Sequence, residues 1–113
     1  MKLRDVVDRI YLDPRKLTEY ALNPNHPRGG HKARVFRSAL GYNTQNYKSL
    51  KLQIESQVLD AEATQGLADK HGQRYVVDIP VQGQSGNEVV VRTCWIVPPG
   101  VKEARLTTLI VRK

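Results

Sequence analysis

With 113 residues, 40% of them hydrophobic, the chain is long enough to bury one modest core, about two-thirds of the surface its unfolded form exposes. No apolar run approaches the roughly 20 residues that a bilayer crossing needs, and the one cysteine, Cys94, allows neither an internal disulfide nor a multi-cysteine metal site. A net charge of +7 and a pI near 9.8 favour polyanionic partners: nucleic acid, an anionic membrane or an acidic protein.

The predicted elements place a single domain on residues 1–113, with a lead-in over 1–12, a helical part over 13–65 and a sheet over 73–112. The opening "MKLRDVVDRIYLD" is broken by acids and lacks a small-residue cleavage site, so it does not read as a signal peptide. Within it, Val6, Val7, Ile10 and Tyr11 suit a short strand or a lead-in turn. In "LDPRKLTEYAL", Asp13 is an N-cap, Pro14 takes the first helical position and Leu12 can staple onto Leu17. Asn23-Pro24 ends that helix, because the residue before a proline avoids the helical region. After the loop "NHPRGG" a second helix begins near His31, with Ala33, Phe36 and Leu40 as its apolar stripe and Gly41 as its stop. A third helix follows in "NTQNYKSLKLQIESQVLDAEA", where Tyr47, Leu50, Ile54, Val58 and Ala61 recur at helical spacing.

"TQGLADKHG" reads as a polar connection, and beyond it the pattern alternates. "QRYVVDIPV" puts Tyr75, Val77, Ile79 and Val81 on one face, while Pro80 belongs at an edge or a bulge. "QGQSGN" is a hairpin turn, and "EVVVRTCWIV" and "RLTTLIV" are further strands around the loop "PPGVKEA". The fold class is therefore α+β: about three N-terminal helices packed on a C-terminal antiparallel sheet of three to four strands.

Charge is uneven along the chain. No Asp or Glu lies between Glu19 and Glu55, yet Arg28, Lys32, Arg34 and Arg37 crowd into "NPNHPRGGHKARVFRSALGY" with His26 and His31. The pair Gly29-Gly30 ahead of a helix lets the backbone approach a ligand and leaves N–H groups facing it. Metal-free RNA cleavage needs this kind of set: a base for the ribose 2′-OH, cations for the charged phosphorane and an acid for the leaving 5′ oxygen. The plainer alternative is a tight turn whose basic helix faces water.

On the second strand, Arg92 shares a face with Val90, Cys94 and Ile96, which is costly unless it meets an anion or lies at the rim. Arg105 and Thr107 recur beside Leu109 and Val111 on the last strand. Arg92 and Arg105 could reach a common cleft with hydroxyls of Thr93, Thr107 or Thr108, or one of them could pair with Asp78 or Glu88 across the sheet. Three histidines without His-x-x-x-His or cysteine pairs give no metal signature, and no P-loop, dinucleotide fingerprint or nucleophile elbow points to a cofactor. His71 reads as a surface-turn residue, Trp95 as core and Cys94 as a small core residue. At 6% aromatic content, a base-stacking sheet surface is not expected.

Over "LTEYALNPNHPRGGHKARVFRSALGY", "GQRYVVDIP", "VVVRTCWIV" and "RLTTLIV" the chain resembles a bacterial family labelled as a domain of unknown function. Its members occur as small stand-alone proteins and as C-terminal tips of polymorphic or contact-dependent inhibition toxins. The resemblance runs from Leu17 to Val111. The family pattern His-Pro-x-Gly-x-x-Lys falls on His26, Pro27, Gly29 and Lys32, Arg-Thr-x-Trp on Arg92, Thr93 and Trp95, and Arg-Leu-Thr-Thr on Arg105 to Thr108. His31 lies outside that pattern, and Ala104 stands where members often carry proline. Helices followed by an antiparallel sheet is also similar to the barnase–EndoU–colicin–RelE group of toxin ribonucleases.

The resemblance implies a toxin-type, metal-independent endoribonuclease without a cofactor, cutting RNA, often tRNA, by 2′-OH attack to a 2′,3′-cyclic phosphate. His26 would be the acid or base, with His31 as substitute. Lys32 and Arg92 would stabilise the phosphorane, and Thr93 or Thr107 would position phosphate. Arg28, Arg34 and Arg37 would bind the RNA backbone, with Gly29, Gly30, Arg105 and Thr108 also on the substrate side. Its partners would be RNA and an acidic antitoxin or immunity protein, with no membrane, in the cytoplasm of its own or a target cell. The alternative is a non-catalytic basic module binding nucleic acid or an acidic protein. The oligomeric state stays open.

Overall fold

In the computed structural model, which describes residues 1–112, five strands form one mixed sheet in the order β1-β5-β4-β3-β2. They are β1 (Arg9–Tyr11), β2 (Ala63–Asp69), β3 (Gly72–Gln82), β4 (Glu88–Val97) and β5 (Glu103–Val111). β1 runs parallel to β5, and the remaining pairs are antiparallel. Two helices, α1 (Gly30–Leu40) and α2 (Tyr47–Gln57), accompany short helical turns at Leu3–Asp5, Leu17–Ala21 and Val58–Asp60. Among the described residues no helix is long and apolar enough to cross a membrane.

The α+β class stands, but the sheet is larger and mixed, and it is not wholly C-terminal. The lead-in supplies β1, and "TQGLADKHG", expected as a connection, supplies β2. All of β2 except Ala63 is exposed, so it lacks the alternation by which a half-buried strand is recognised. The first helix is a single wide turn, Leu17–Ala21, begun by Asp13, whose carboxylate accepts the Arg15 amide at 3.0 Å. The third stops at Gln57, where a tighter turn takes over.

The core forms where the two periodicities meet. Tyr75, Val77, Ile79 and Val81 of β3 and Val91 and Trp95 of β4 bury one sheet face together with Phe36, Leu40, Leu50 and Ile54 of the helices. Gly41 ends α1 at φ 76°, its amide returning to the Arg37 carbonyl at 2.9 Å and the Tyr42 amide to that of Phe36 at 3.4 Å. Pro80 lies beyond the last β2 pairing, Ala63 with Val77, so its missing N–H interrupts no ladder on that side.

Thr93 belongs to this core, which corrects its expected role at a phosphate. It is fully buried; its hydroxyl donates to the Val77 carbonyl at 2.7 Å and accepts the Trp95 indole N–H at 2.7 Å. Thr93→Val keeps the shape but strands that indole N–H, a loss of about 1–3 kcal/mol. A thermal melt is expected to fall by about 4–8 °C for each kcal/mol lost.

Two irregularities shape the sheet's free edge. β1 pairs only with Glu103–Arg105, so the rest of β5 has no strand neighbour there, and the Leu17–Ala21 turn and α1 lie against it instead. The β4–β5 register also shifts: Cys94 faces Thr108 but Trp95 faces Leu106, leaving Thr107 as an extra, bulged residue. The Thr107 hydroxyl donates to the Cys94 carbonyl at 3.1 Å. Thr108 thereby shares the helix-free sheet face with Cys94.

Candidate functional site

The loop entering α1 is organised by His26. Its Nδ1 accepts the backbone N–H groups of Arg28 at 3.0 Å and Gly29 at 2.9 Å, and its carbonyl accepts the Gly30 amide at 2.9 Å. The ring therefore caps amides that a helix start leaves without partners, and in the neutral imidazole the proton sits on Nε2. Gly29 and Gly30 are buried, and their amides serve this turn instead of facing a ligand. The glycines are needed for close approach. A Cβ on Gly29 would lie 2.8 Å from the Tyr20 carbonyl oxygen, and one on Gly30 would lie 2.5 Å from that of Pro24.

This packing aims Lys32, on the first turns of α1, across the free edge of β5. Its Nζ donates to the Tyr20 hydroxyl at 3.2 Å and to the Thr108 hydroxyl at 3.3 Å, and lies 5.3 Å from the Tyr20 ring centroid. His26 meets the same ring edge-on, with centroids 4.8 Å apart and planes at 84°. Tyr20 titrates below its ordinary value, first through the hydrogen bond from Lys32 and then through Thr108. Burial pushes the Cys94 thiol up, with Arg92 and Lys32 near enough to oppose it; the thiol is half-buried on the helix-free face, not in the core.

Two hollows are reached by this contact, one lined by Lys32 and one by its acceptor Tyr20. One is lined by His31, Lys32, Val35, Ile110 and Val111; the other by Asp13, Arg15, Lys16, Glu19, Tyr20 and Thr107. Arg34 and Arg37 leave α1 on its other flank, over a third hollow with Pro24, Asn43 and Gln45. Among the described residues, Arg28, Lys32, Arg34 and Arg37 join none of the nine ion pairs.

A model of the family described as Domain of unknown function (DUF6883) matches residues 2–113. The chain belongs to that family. A comparison of this DUF6883 chain with curated proteins finds no match. A solved structure described as a contact-dependent growth inhibition toxin–immunity protein complex from Klebsiella pneumoniae 342 contains a similar chain. The TM-score is 0.69 at 15% identity, over 90% of this chain and 92% of that one. At that identity the likeness is one of fold.

In this DUF6883 domain the expected site residues divide. Lys32 and Thr108 meet directly, with His26 packed beside them through Tyr20, Thr107 lining the hollow that Tyr20 lines and His31 the hollow that Lys32 lines. Arg92, expected to be free for a phosphorane, forms a two-pronged pair with Asp78 at 2.9 and 3.1 Å, which was the plainer alternative. Arg105 is held by Glu103 at 2.8 Å and is exposed. Tyr20 is the residue that sequence reasoning passed over; its only signal was its place inside the acid-free, histidine-bearing run. Chemically, the arrangement offers a fixed ammonium with no carboxylate partner among the described residues, two hydroxyls on it, and an imidazole lining the same hollow.

Proposed function

We propose that the protein is a toxin-type endoribonuclease that cleaves RNA without a metal, centred on Lys32. One observation carries the reading. In a molecule with nine ion pairs among its described residues, this half-buried ammonium is held by two neutral hydroxyls, so its charge remains available to a phosphate. A fixed cation where negative charge develops stabilises the phosphorane. His31, in the hollow beside it, takes the 2′-OH proton; His26, with Nδ1 engaged by two amides, holds the loop. Thr108, whose hydroxyl accepts from Lys32, orients a phosphate oxygen with its own proton, while the Thr107 hydroxyl stays engaged with the Cys94 carbonyl. The fold likeness to a chain of a toxin–immunity complex supports a toxin held in check by a protein inhibitor. That inhibitor is acidic and covers the unpaired cations of α1, because complementary charge speeds its capture.

Purified protein incubated with total bacterial RNA in excess EDTA is expected to give discrete fragments ending in 2′,3′-cyclic phosphate. Intact RNA from folded protein overturns the enzyme; RNA binding without cleavage would leave a basic binding module. Arg34 and Arg37 face away from the proposed centre, so they act on affinity. Replacing each by alanine should flatten the plot of log affinity against log salt by about 0.7 for single-stranded RNA. Fluorescence anisotropy between low and moderate salt reads this directly, and single-turnover cleavage at saturating protein should change little.

A further inference from the structure

The ribonuclease reading, on which any role for Tyr20 rests, supplies a cation and a base but leaves the departing oxygen without a proton. His26 is an awkward donor to assign, since its ring is engaged in holding the turn. The Tyr20 hydroxyl is differently placed. Its oxygen accepts from the Lys32 ammonium at 3.2 Å, and a phenol that accepts one hydrogen bond keeps its own proton to donate. The ring is fixed by the edge of His26 and by the close backbone of Gly29, where a Cβ would come within 3.1 Å of it. The residue lines one hollow while His31 and Lys32 line another, and its hydrogen bond from Lys32 joins the two groups.

We propose that Tyr20 is the general acid of the cleavage, giving its hydroxyl proton to the departing 5′ oxygen. The 2′ oxygen attacks phosphorus and loses its proton to His31. The bond from phosphorus to the 5′ oxygen breaks, that oxygen keeps the electron pair, and it takes the Tyr20 proton. The products are a 2′,3′-cyclic phosphate and a 5′-hydroxyl. The tyrosinate is held by the Lys32 ammonium until water returns a proton, and His31 releases one to solvent. The hydrogen bond from Lys32, with Thr108 beside it, brings the phenol's acidity nearer the working pH, the condition under which an acid transfers best.

The test uses Tyr20→Phe, which keeps the ring and its packing, and two RNA oligonucleotides: one ordinary, the other with sulfur bridging phosphorus and the 5′ carbon. A thiolate leaves without protonation. The variant is expected to lose about 10²-fold or more on the ordinary RNA, yet to cut the sulfur-bridged RNA within a few-fold of the parent. Equal losses on both substrates would make Tyr20 a positioning residue and overturn the assignment, as would no loss on either. A parent that cuts neither in EDTA overturns the ribonuclease reading and this role with it. That outcome is distinct, because it shows before any variant is compared.

Discussion

Lys32→Ala is expected to lower single-turnover RNA cleavage by about 10³-fold, the scale on which enzymes lose rate when one preorganised stabiliser of transition-state charge is removed. That factor corresponds to about 4 kcal/mol of barrier. The surroundings of the ammonium justify so large an effect. Among the described residues no carboxylate pairs with it, and Tyr20 and Thr108 fix its position without cancelling its charge. Binding should suffer much less, because Arg28, Arg34 and Arg37 still supply unpaired cations. Stability should move by no more than about 0.5–1 kcal/mol, since the two hydroxyls are half-buried and can turn to water. Lys32→Arg keeps the charge on a longer, planar group that cannot sit between the same two hydroxyls, so it should recover only part of the rate. Cleavage by Lys32→Ala within a few-fold of the parent would remove the ammonium from the reaction and with it the proposed centre.

How far this site could be read from sequence depends on whether each contact is local. Ala33, Phe36 and Leu40 on α1 and the alternation from Tyr75 to Val81 belong to single elements, and both patterns bury as their periods require. β1 exists only because three residues pair with Glu103–Arg105 at the far end of the chain, and β2 only through its ladder with β3. The contact of Lys32 with Thr108 joins residues 76 apart and depends on the bulge at Thr107. Two adjacent threonines give no local sign of which will face the cleft. The period of a strand did carry one usable constraint. Arg92 and Thr93 are neighbours, so they face opposite sides of the sheet and cannot both line one cleft. The cost of leaving Arg92 on an apolar face foretold a partner, and Asp78, its cross-strand neighbour, is that partner.

The two histidines should separate in a way that a pair of alanine variants alone would obscure. His31→Ala is expected to lower cleavage by about 10²–10⁴-fold, the range for losing a general base, with little effect on folding because the side chain is exposed. His26→Ala is also expected to lose activity, for a different reason. It leaves the amides of Arg28 and Gly29 without their acceptor, at a cost of about 1–3 kcal/mol. The turn that seats Gly29 against Tyr20 then loosens, and Lys32 loses its fixed partner. Asparagine separates the two meanings. Its side-chain oxygen can stand where Nδ1 stands and accept the same two amides, as asparagine does when it caps a helix. His26→Asn should therefore melt near the parent temperature and keep most of the cleavage rate. If it instead melts normally and loses cleavage while His31→Ala keeps the parent rate, the His26 ring itself moves the proton. The base would then lie in the loop ahead of α1, on the Tyr20 side of Lys32, and His31 would be a bystander on the helix surface.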